Sequence, residues 1–308
     1  MSDLAVVARN ISRSYGKIRA LDNVSLEVAE GELFGIIGPD GAGKTTLFRI
    51  LATLLLPDSG SASVDGSDVI TGYREIRGKI GYMPGRFSLY QDLSVEENLS
   101  FFATVFNTTI DENYHLVADI YRQLEPFRKR RAGALSGGMK QKLALSCALI
   151  HKPRVLLLDE PTTGVDPVSR REFWEMLGKL RLEGITILVA TPYMDEAGRC
   201  DRIALIQRGA FLNVDTPAAI RAGFDLPLYA VRSDSMHRLL SDVRRFPGVL
   251  SCYTFGDAHH VTLSDPGVNP DGLEPYLAGL GHTGIGITRI AASIEDCFMR
   301  FSSEGGAQ

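Results

Sequence analysis

The chain has 308 residues, of which 44% are hydrophobic and 23% charged, proportions that are ordinary for a globular protein. This length allows one large domain and a small one, and the formal net charge of −4 argues against a nucleic-acid binder that relies on overall positive charge. The four cysteines are widely spaced without a CxxC pair, which indicates reduced and mostly buried thiols: Cys147, Cys200, Cys252 and Cys297.

Apolar runs in the sequence are short. None approaches the roughly 18–20 residues that a membrane-spanning helix requires, and residues 185–190, among the longest, have the length of a strand. The first ten residues have neither a basic start nor a long apolar core, so they do not resemble a signal peptide. We therefore expect a cytoplasmic protein in which any membrane role depends on a partner.

The first part of the chain combines strand and helix patterns. Residues 4–11 and 20–28 read as strands, and residues 32–38 form an apolar run that ends in glycine, as a buried strand does. Residues 43–55 then have the pattern of a helix. The sequence thus predicts a glycine-rich loop between a strand and a helix.

This loop matches G-x-x-x-x-G-K-[ST] at every fixed position. We call residues 38–46 the phosphate loop; its members are Gly38, Pro39, Asp40, Gly41, Ala42, Gly43, Lys44, Thr45 and Thr46. The glycines allow the backbone to wrap around phosphates, Lys44 reaches the terminal phosphates, and the Thr45 hydroxyl can ligate Mg²⁺. The loop predicts a nucleotide-binding site.

A second glycine-containing helix start lies far downstream. We call residues 135–139 the signature segment: Leu135, Ser136, Gly137, Gly138 and Met139. A serine followed by two glycines offers bare backbone N–H groups and the positive end of a helix dipole to an anion. Because one chain rarely needs two such contacts for its own nucleotide, the segment indicates a dimer.

Two acidic residues end a predicted strand. Residues 155–158 and 185–190 are apolar, strand-length and flanked by helical patterns, which favours a parallel sheet. Asp159, at the end of the first of these strands, is placed to hold Mg²⁺, and Glu160 beside it could orient and activate an attacking water. The alternative is a solvated strand end.

The order of phosphate loop, LSGGM, VLLLDE and residues 161–166 resembles the ATP-binding cassette family, the ATPase subunits of transporters, over roughly residues 4–220. The resemblance implies an α/β P-loop NTPase cassette, with a mixed sheet core, an antiparallel β subdomain and a helical signature subdomain. It also implies ATP and Mg²⁺ as cofactors, with Lys44 and Glu160 in catalytic roles. In the implied head-to-tail dimer, the signature segment of one subunit closes over the ATP held by the other.

The resemblance assigns two further residues. Asp166 falls in the loop that joins the two sites across the dimer interface. Tyr15 falls where an aromatic residue stacks on adenine, although a turn tyrosine without a ligand is an open alternative.

Two positions depart from the family pattern. Gly85 stands where a glutamine is expected that touches Mg²⁺ and the attacking water, and Pro192 stands where a histidine contacts the γ-phosphate. Proline has neither a side-chain donor nor a backbone N–H. The loss of one preorganised donor costs about 10²–10³ in rate. We expect ATP binding, but weak hydrolysis at this chain's own site unless Tyr193 or Arg86 compensates, and a pairing with a different, competent cassette is one hypothesis.

Residues 86–106 occupy the region where family members receive a short helix of a transmembrane permease. Several apolar side chains there could serve docking or core packing: Phe87, Leu89, Tyr90, Phe101 and Phe102. A capping box formed by Ser94 and Glu97 predicts a helix through Phe106.

A change in composition near residues 222–227 predicts a boundary between a cassette domain at 1–224 and a small accessory domain at 225–308. The accessory domain has the order β-α-β-β-α-β, followed by a last helix from Ser293, which indicates a small α+β domain. Its His259–His260 pair lacks metal-ligand spacing, so no metal site is expected there. Residues 291–299 resemble the closing segment of C-terminal domains on drug- and polysaccharide-type export cassettes, where the role is often regulatory or dimer-supporting.

The leading interpretation is the ATP-binding subunit of a membrane exporter, peripheral at the inner face of the cell membrane, which couples ATP binding and hydrolysis to transport by a separate permease. The second cassette of the dimer is either another copy or a different chain, and no nucleic-acid partner is expected. One alternative is a soluble cassette ATPase on ribosomes or nucleic acid, which a single cassette without a coiled-coil insertion disfavours. A second is a nucleotide-binding subunit with weak hydrolysis owing to Gly85 and Pro192.

Overall fold

The computed structural model describes residues 3–264 and 270–304. It divides into two compact units, Met1–Pro217 and Ala218–Gln308. The boundary predicted after residue 224 lies beyond this division. The physical reason is that Ile220 is buried and its carbonyl oxygen accepts a hydrogen bond from the Cys297 thiol at 3.6 Å, so the chain before residue 224 packs with the second unit.

The first unit contains ten strands and six helices among its described residues. In chain order they are β1 (Leu4–Tyr15), β2 (Ile18–Ala29), β3 (Leu33–Ile37), α1 (Lys44–Leu51), β4 (Ser59–Val64), β5 (Ser67–Asp68), α2 (Tyr73–Lys79), β6 (Ile80–Met83), α3 (Val95–Val105), α4 (Tyr114–Leu124), α5 (Gly137–Leu149), β7 (Val155–Asp159), α6 (Pro167–Leu182), β8 (Thr186–Thr191), β9 (Arg202–Gln207) and β10 (Ala210–Asp215).

Six of these strands form a mixed sheet in the order β10-β9-β3-β8-β7-β6. Neighbouring strands of this sheet are parallel, except that β9 and β10 are antiparallel. Every residue of β3, β7 and β8 is buried, which explains why these strands read as continuous apolar runs. Because the carboxyl ends of parallel strands meet at one edge, the loops after β3, β7 and β8 lie together there.

The other four strands form an antiparallel sheet in the order β2-β1-β4-β5. One face packs on α1 and the mixed sheet, with Val6, Val28 and Phe48 in a shared hydrophobic core. Strand β1 continues to Tyr15, four residues past the predicted end at Ile11, because register irregularities after Ala8 let it stay paired with β2 as far as Tyr15 and with β4 as far as Ser12. The two strands of the hairpin therefore turn at Gly16, which has a φ of +60°.

Helices α3, α4 and α5 form a helical subdomain, as the sequence predicted. The capping box at the start of α3 is confirmed: Ser94 Oγ accepts from the Glu97 amide at 3.2 Å, and Glu97 Oε2 accepts from the Ser94 amide at 2.7 Å. Helix α1 ends at Leu51 rather than at residue 55, because the chain turns at Thr53, whose φ is +59°.

The second unit is α+β and has the predicted β-α-β-β-α-β order, with residues 265–269 outside the described part of the chain. Its elements are α7 (Pro217–Ala222), β11 (Leu228–Arg232), α8 (Met236–Val243), β12 (Val249–Phe255), β13 (Ala258–Leu263), α9 (Leu273–Gly279), β14 (Gly286–Arg289) and α10 (Ile294–Glu304). The strands form an antiparallel sheet in the order β12-β13-β11-β14. His259 lies within β13 and is buried, with Nε2 2.8 Å from the Met236 carbonyl oxygen.

All four cysteines are free and buried, as expected. Burial raises the pKa of the Cys252 thiol to about 11. Within residues 3–264 and 270–304, no helix combines the length and the apolar character needed to cross a membrane.

Candidate nucleotide-binding site

The phosphate loop connects β3 to α1, and its glycines are required by close backbone contacts. A Cβ at Gly38 would lie 2.1 Å from the Ile206 carbonyl oxygen. A Cβ at Gly43, which has a φ of +110°, would lie 2.4 Å from the Ala20 carbonyl oxygen. Neither site accepts a larger residue without displacing backbone, so the sequence dictates the curled path of the loop.

Lys44 lies inside this curl and is only 3% exposed. Its Nζ donates to the carbonyl oxygens of Gly38 at 2.8 Å and Pro39 at 3.0 Å, and it lies 3.4 Å from Glu160 Oε1. A buried ammonium needs such partners, because burying an unpaired charge is costly. The contacts hold the lysine within the loop, where the charge-assisted bonds of an ammonium suit phosphate oxygens.

Thr45 and Asp159 meet at the sheet edge. Thr45 Oγ1 donates to Asp159 Oδ1 at 3.1 Å, and Asp159 is the buried last residue of β7. Burial raises the pKa of the Asp159 carboxyl, while the hydrogen bond from Thr45 opposes that rise. A hydroxyl and a carboxylate in contact are oxygen donors of the kind that Mg²⁺ takes together with substrate phosphates, so the pair fits this cation.

Glu160 has a left-handed backbone conformation with a φ of +52°. Non-glycine residues hold this conformation only where surrounding structure enforces it. Here the Glu160 amide donates to the Ala190 carbonyl oxygen of β8 at 2.8 Å. Its carboxylate contacts Lys44 and accepts a hydrogen bond from Thr163 Oγ1 at 3.4 Å. The turn thus directs Glu160 toward the phosphate loop.

Both departures from the family pattern lie beside this cluster. A Cβ at Gly85 would stand 3.1 Å from the Asp159 carbonyl oxygen and 3.7 Å from Glu160 Cβ. Pro192 directly follows Thr191, whose carbonyl oxygen accepts a hydrogen bond from the Gly38 amide at 3.2 Å. The side chains that are absent would therefore have stood next to the acidic pair and the phosphate loop.

The structure adds a buried carboxylate that the sequence analysis missed. Glu196 is 3% exposed and accepts hydrogen bonds from Thr162 Oγ1 at 2.8 Å and Thr191 Oγ1 at 2.5 Å. It ties the loop after Glu160 to the segment that contains Pro192. The sequence offers little signal for this link, because Thr162 and Glu196 are 34 positions apart.

Tyr193, named as a possible substitute for the absent histidine, is already engaged. The Arg170 guanidinium lies 4.1 Å from the centroid of the Tyr193 ring. The Tyr193 amide donates to Thr191 Oγ1 at 3.1 Å. The other candidate substitute, Arg86, is exposed.

The signature segment opens α5. Leu135 is buried and anchors the segment, whereas Ser136 and Gly137 are exposed. Ser136 is the N-cap, and its Oγ accepts from the Met139 amide at 3.4 Å. A Cβ at Gly138 would lie 2.8 Å from Ser169 Oγ on α6, so this glycine is also needed for packing within the chain.

Asp166 caps helix α6. Its Oδ1 accepts from the amides of Val168 at 3.1 Å and Ser169 at 3.0 Å. These hydrogen bonds, that of Ser169 foremost, lower the pKa of the Asp166 carboxyl. Since Gly138 packs on the same Ser169, the signature segment and the Asp166 loop lie next to each other.

Tyr15 lies at the end of β1 with 44% of its surface exposed. The Arg13 guanidinium lies 5.4 Å from the centroid of its ring. The ring is accessible for stacking, and its predicted role toward adenine stays a prediction.

Residues 21–163 match the ABC transporter family. The whole chain is 35% identical over 306 residues to the Nod factor export ATP-binding protein I of Burkholderia lata, covering 96% of this chain and 95% of that protein. This chain belongs to the ABC transporter family of ATP-binding proteins. The chain is also 34% identical over 306 residues to the Nod factor export ATP-binding protein I of Rhizobium sp. strain N33, covering 98% of each.

A further relative of this ABC chain is the probable multidrug ABC transporter ATP-binding protein YbhF of Escherichia coli K12, with 44% identity over 224 residues. That match covers 71% of this chain, which spans 39% of the length of the YbhF protein. Among solved structures, an ATP-binding subunit of an ABC transporter matches with a TM-score of 0.65 and 28% identity, over 71% of this chain and 93% of that one. A bacterial ABC transporter cassette solved as a dimer matches with a TM-score of 0.62 and 28% identity, over 68% of this chain and 98% of that one. The predicted α/β cassette fold of this ABC chain is thereby confirmed.

Proposed function

We propose that this chain is the ATP-binding subunit of a membrane exporter, in which a cassette dimer couples ATP binding and hydrolysis to transport by a separate permease. The observation that carries the proposal is the convergence of Lys44, Thr45, Asp159 and Glu160 at one sheet edge. Relatives that match nearly the whole chain are named as Nod factor export proteins, which supports export as the direction of transport.

The cofactors in this proposal are ATP and Mg²⁺. The phosphate loop and Lys44 hold the phosphates, Thr45 and Asp159 hold Mg²⁺, and Tyr15 stacks on adenine. Bound Mg²⁺ would supply positive charge that offsets the phosphate oxygens. Glu160 orients the attacking water through a carboxylate that the left-handed turn fixes beside Lys44.

The signature segment serves ATP held by a second cassette, either another copy or a different chain. Support comes from the exposed Ser136 and Gly137 at the start of α5, where backbone N–H groups are available to an anion. Asp166, beside the segment through Ser169, belongs to the same interface in this proposal. Nucleic acid is not a partner in it.

A second candidate function is a nucleotide-binding subunit that hydrolyses ATP weakly at its own site. The observation that favours it is the position of Gly85 and Pro192 next to the acidic pair and the phosphate loop, where they add no side-chain donor. On this account the chain works beside a competent cassette and contributes its intact signature segment.

In this proposal the permease docks near residues 86–106. An apolar cavity of about 430 Å³ opens there, and its lining includes Leu54, Tyr82, Leu89, Phe102, Val105 and Phe106. An amphipathic helix that lays its apolar face into a hydrophobic groove is a common mode of recognition. Docking would place this chain at the inner face of the cell membrane.

Fractionation of cells that express the tagged chain tests the export proposal. We expect the chain to co-sediment with membranes. Phe102→Glu, which places a charge in the apolar cavity, should abolish this co-sedimentation. The control Leu182→Glu, at an exposed position, should leave it unchanged. Co-sedimentation with ribosomes instead would contradict the proposal and favour the soluble alternative. ATP turnover by the purified chain then separates the first candidate from the second.

A further inference from the structure

The sheet of the second unit has two chemically different faces. Cross-strand register pairs Cys252 with Val261 on the face that packs against α8 and α9. The alternate residues lie on the opposite face, because successive side chains of a strand point to opposite sides. There, Tyr253 pairs with His260, and Ser251 pairs with Thr262, so the second face is polar.

One side of α10 faces a cavity over this polar face. The cavity measures about 300 Å³ and lies wholly within the second unit. We call it the α10 pocket. Tyr253, His260 and Thr262 line it from the sheet, and its apolar lining includes Leu250 of β12 together with Phe224 and Leu226 from the segment before β11. Leu250 is 59% exposed, a high value for a leucine.

His260 is held in one orientation. Its Nδ1 lies 2.7 Å from Asp296 Oδ1, and the Phe255 ring stacks on the imidazole with centroids 4.1 Å apart. Asp296 Oδ2 accepts from the amide and the hydroxyl of Ser293, at 2.8 and 2.6 Å. Because a carboxylate oxygen only accepts, Nδ1 carries a hydrogen, and in the uncharged form of the ring Nε2 is then an acceptor. Among residues 3–264 and 270–304, Nε2 has no protein partner.

The charges around the pocket favour a cation. Arg300 lines the pocket, but its Nη1 donates to Asp225 Oδ1 at 2.5 Å, so a neighbouring carboxylate offsets its charge. The carboxylate of the buried Asp296 is contacted instead by Ser293 and by His260 Nδ1, with no arginine or lysine of the described residues bonded to it. The pocket therefore contains an acceptor nitrogen, His260 Nε2, on a ring that is bonded to the Asp296 carboxylate. Aromatic and aliphatic side chains form the pocket walls.

We propose that the α10 pocket is a binding site for small amphipathic organic cations. A primary ammonium group donates to His260 Nε2, and an aromatic or aliphatic body packs on Phe224, Leu226 and Leu250. The Tyr253 ring in the pocket wall adds cation–π attraction. This site is separate from the nucleotide site in sequence and chemistry, and it does not depend on the proposed export function.

Binding of 2-phenylethylammonium to the full-length chain tests the proposal, measured by ligand-observed NMR at pH 8 with the ATP analogue AMP-PNP present to fill the nucleotide site. A ligand of this size is expected to bind in the millimolar range. We expect the ammonium probe to bind most tightly, 2-phenylethanol less tightly and 3-phenylpropionate most weakly. The alcohol keeps a hydrogen-bond donor but has no charge, and the carboxylate has a negative charge in place of the positive one.

Variants locate the site. His260→Gln should weaken the ammonium probe about fivefold, the value of roughly one hydrogen bond. Leu250→Arg, at an exposed position that the fold tolerates, should weaken it at least as much by placing a positive charge at the pocket. The control is His237→Gln, an exposed histidine on α8 outside the pocket, which should leave the affinity unchanged.

The proposal is overturned if the carboxylate probe binds more tightly than the ammonium probe, or if no probe binds. It is also overturned if Leu250→Arg, folded as judged by its thermal unfolding, binds the ammonium probe as the wild-type chain does. These results leave the export proposal untouched, because ATP binding and membrane association are measured separately.

Discussion

In the proposed function the chain faces nucleotide in two places, and the contacts that hold these two places differ. In the phosphate site, the side chain of Lys44 contacts Glu160 and that of Thr45 contacts Asp159, so its binding groups hold one another in two neighbouring pairs. The signature segment is instead held by packing and capping: Leu135 is buried, Ser136 caps α5, and Gly138 packs on Ser169.

The difference teaches where this chain is complete and where it is not. The phosphate site has the groups that hold the nucleotide in our proposal but lacks side-chain donors at Gly85 and Pro192. The signature segment keeps the serine and both glycines, Ser136, Gly137 and Gly138, and packing against Ser169 within the chain constrains Gly138. We infer that this chain binds ATP at its own site and contributes more effectively to catalysis at its partner's site.

The largest expected effect comes from the centre of the phosphate site. Lys44→Met should weaken ATP binding about a hundredfold, because it removes charge-assisted hydrogen bonds worth roughly 1.5–3 kcal/mol. Calorimetric titration with ATP measures the loss. Lys129→Met, at an exposed lysine, is the matched control and should bind ATP normally. Equal affinity of the Lys44 variant and the wild-type chain would refute the assignment.

The next effect concerns the packing behind the signature segment. Gly138→Ala should lower the free energy of unfolding by about 1–3 kcal/mol, because the new Cβ would overlap Ser169. Gly178→Ala is the control: it lies inside α6 with open space around it, and should stabilise the chain by about 0.5–1 kcal/mol. Chemical denaturation of both variants checks the opposite signs, and a stable Gly138→Ala chain contradicts the packing argument.

A smaller effect separates capping from function. Ser136→Ala and Ser94→Ala each remove a helix cap and should each cost about 1 kcal/mol of stability. Only Ser136→Ala should also slow ATP hydrolysis by the assembled dimer, since Ser136 faces the partner's nucleotide in our account. Equal rates for the two variants would show that the signature serine acts only as a cap.

The smallest effect is a pH dependence at Asp166. Hydrogen bonds lower the pKa of its carboxyl in the folded chain, so the ionised form stabilises the fold above the unfolded value of about 3.9. This stabilisation disappears as the pH falls through the folded value. Asp166→Asn keeps a cap without the charge, so its deficit in thermal stability should be present at pH 7 and should shrink as the pH falls below about 3.9. A deficit that does not shrink on acidification would assign it to packing instead.

Local sequence signals predicted much of the site and less of what surrounds it. The phosphate loop, the signature helix start and Asp159 at a strand end could be located because each follows from a short pattern with a backbone requirement. Glu196 could not, because its hydrogen bonds to Thr162 and Thr191 depend on how β7 and β8 pair in the sheet. The left-handed turn of Glu160 likewise depends on a hydrogen bond to the neighbouring strand.

Dependence on contacts between distant parts of the chain also explains where the observed fold differs from the predicted one. Strand β1 extends to Tyr15 through irregular pairing that no alternation pattern reveals. The division between the units falls at Pro217, whereas the amino-acid composition changes only near residue 224. Ile220 lies between these two positions, and its carbonyl oxygen is already bonded to Cys297 of the second unit.

The central claim is that this chain's own site binds ATP but hydrolyses it slowly for want of two donors. Single-turnover hydrolysis by the purified chain, compared with the Gly85→Gln/Pro192→His variant, tests it most directly. We predict a gain in rate of about 10² for the variant, given the usual effect of a preorganised donor, with ATP affinity essentially unchanged. Equal rates for the wild-type chain and the variant would contradict the claim.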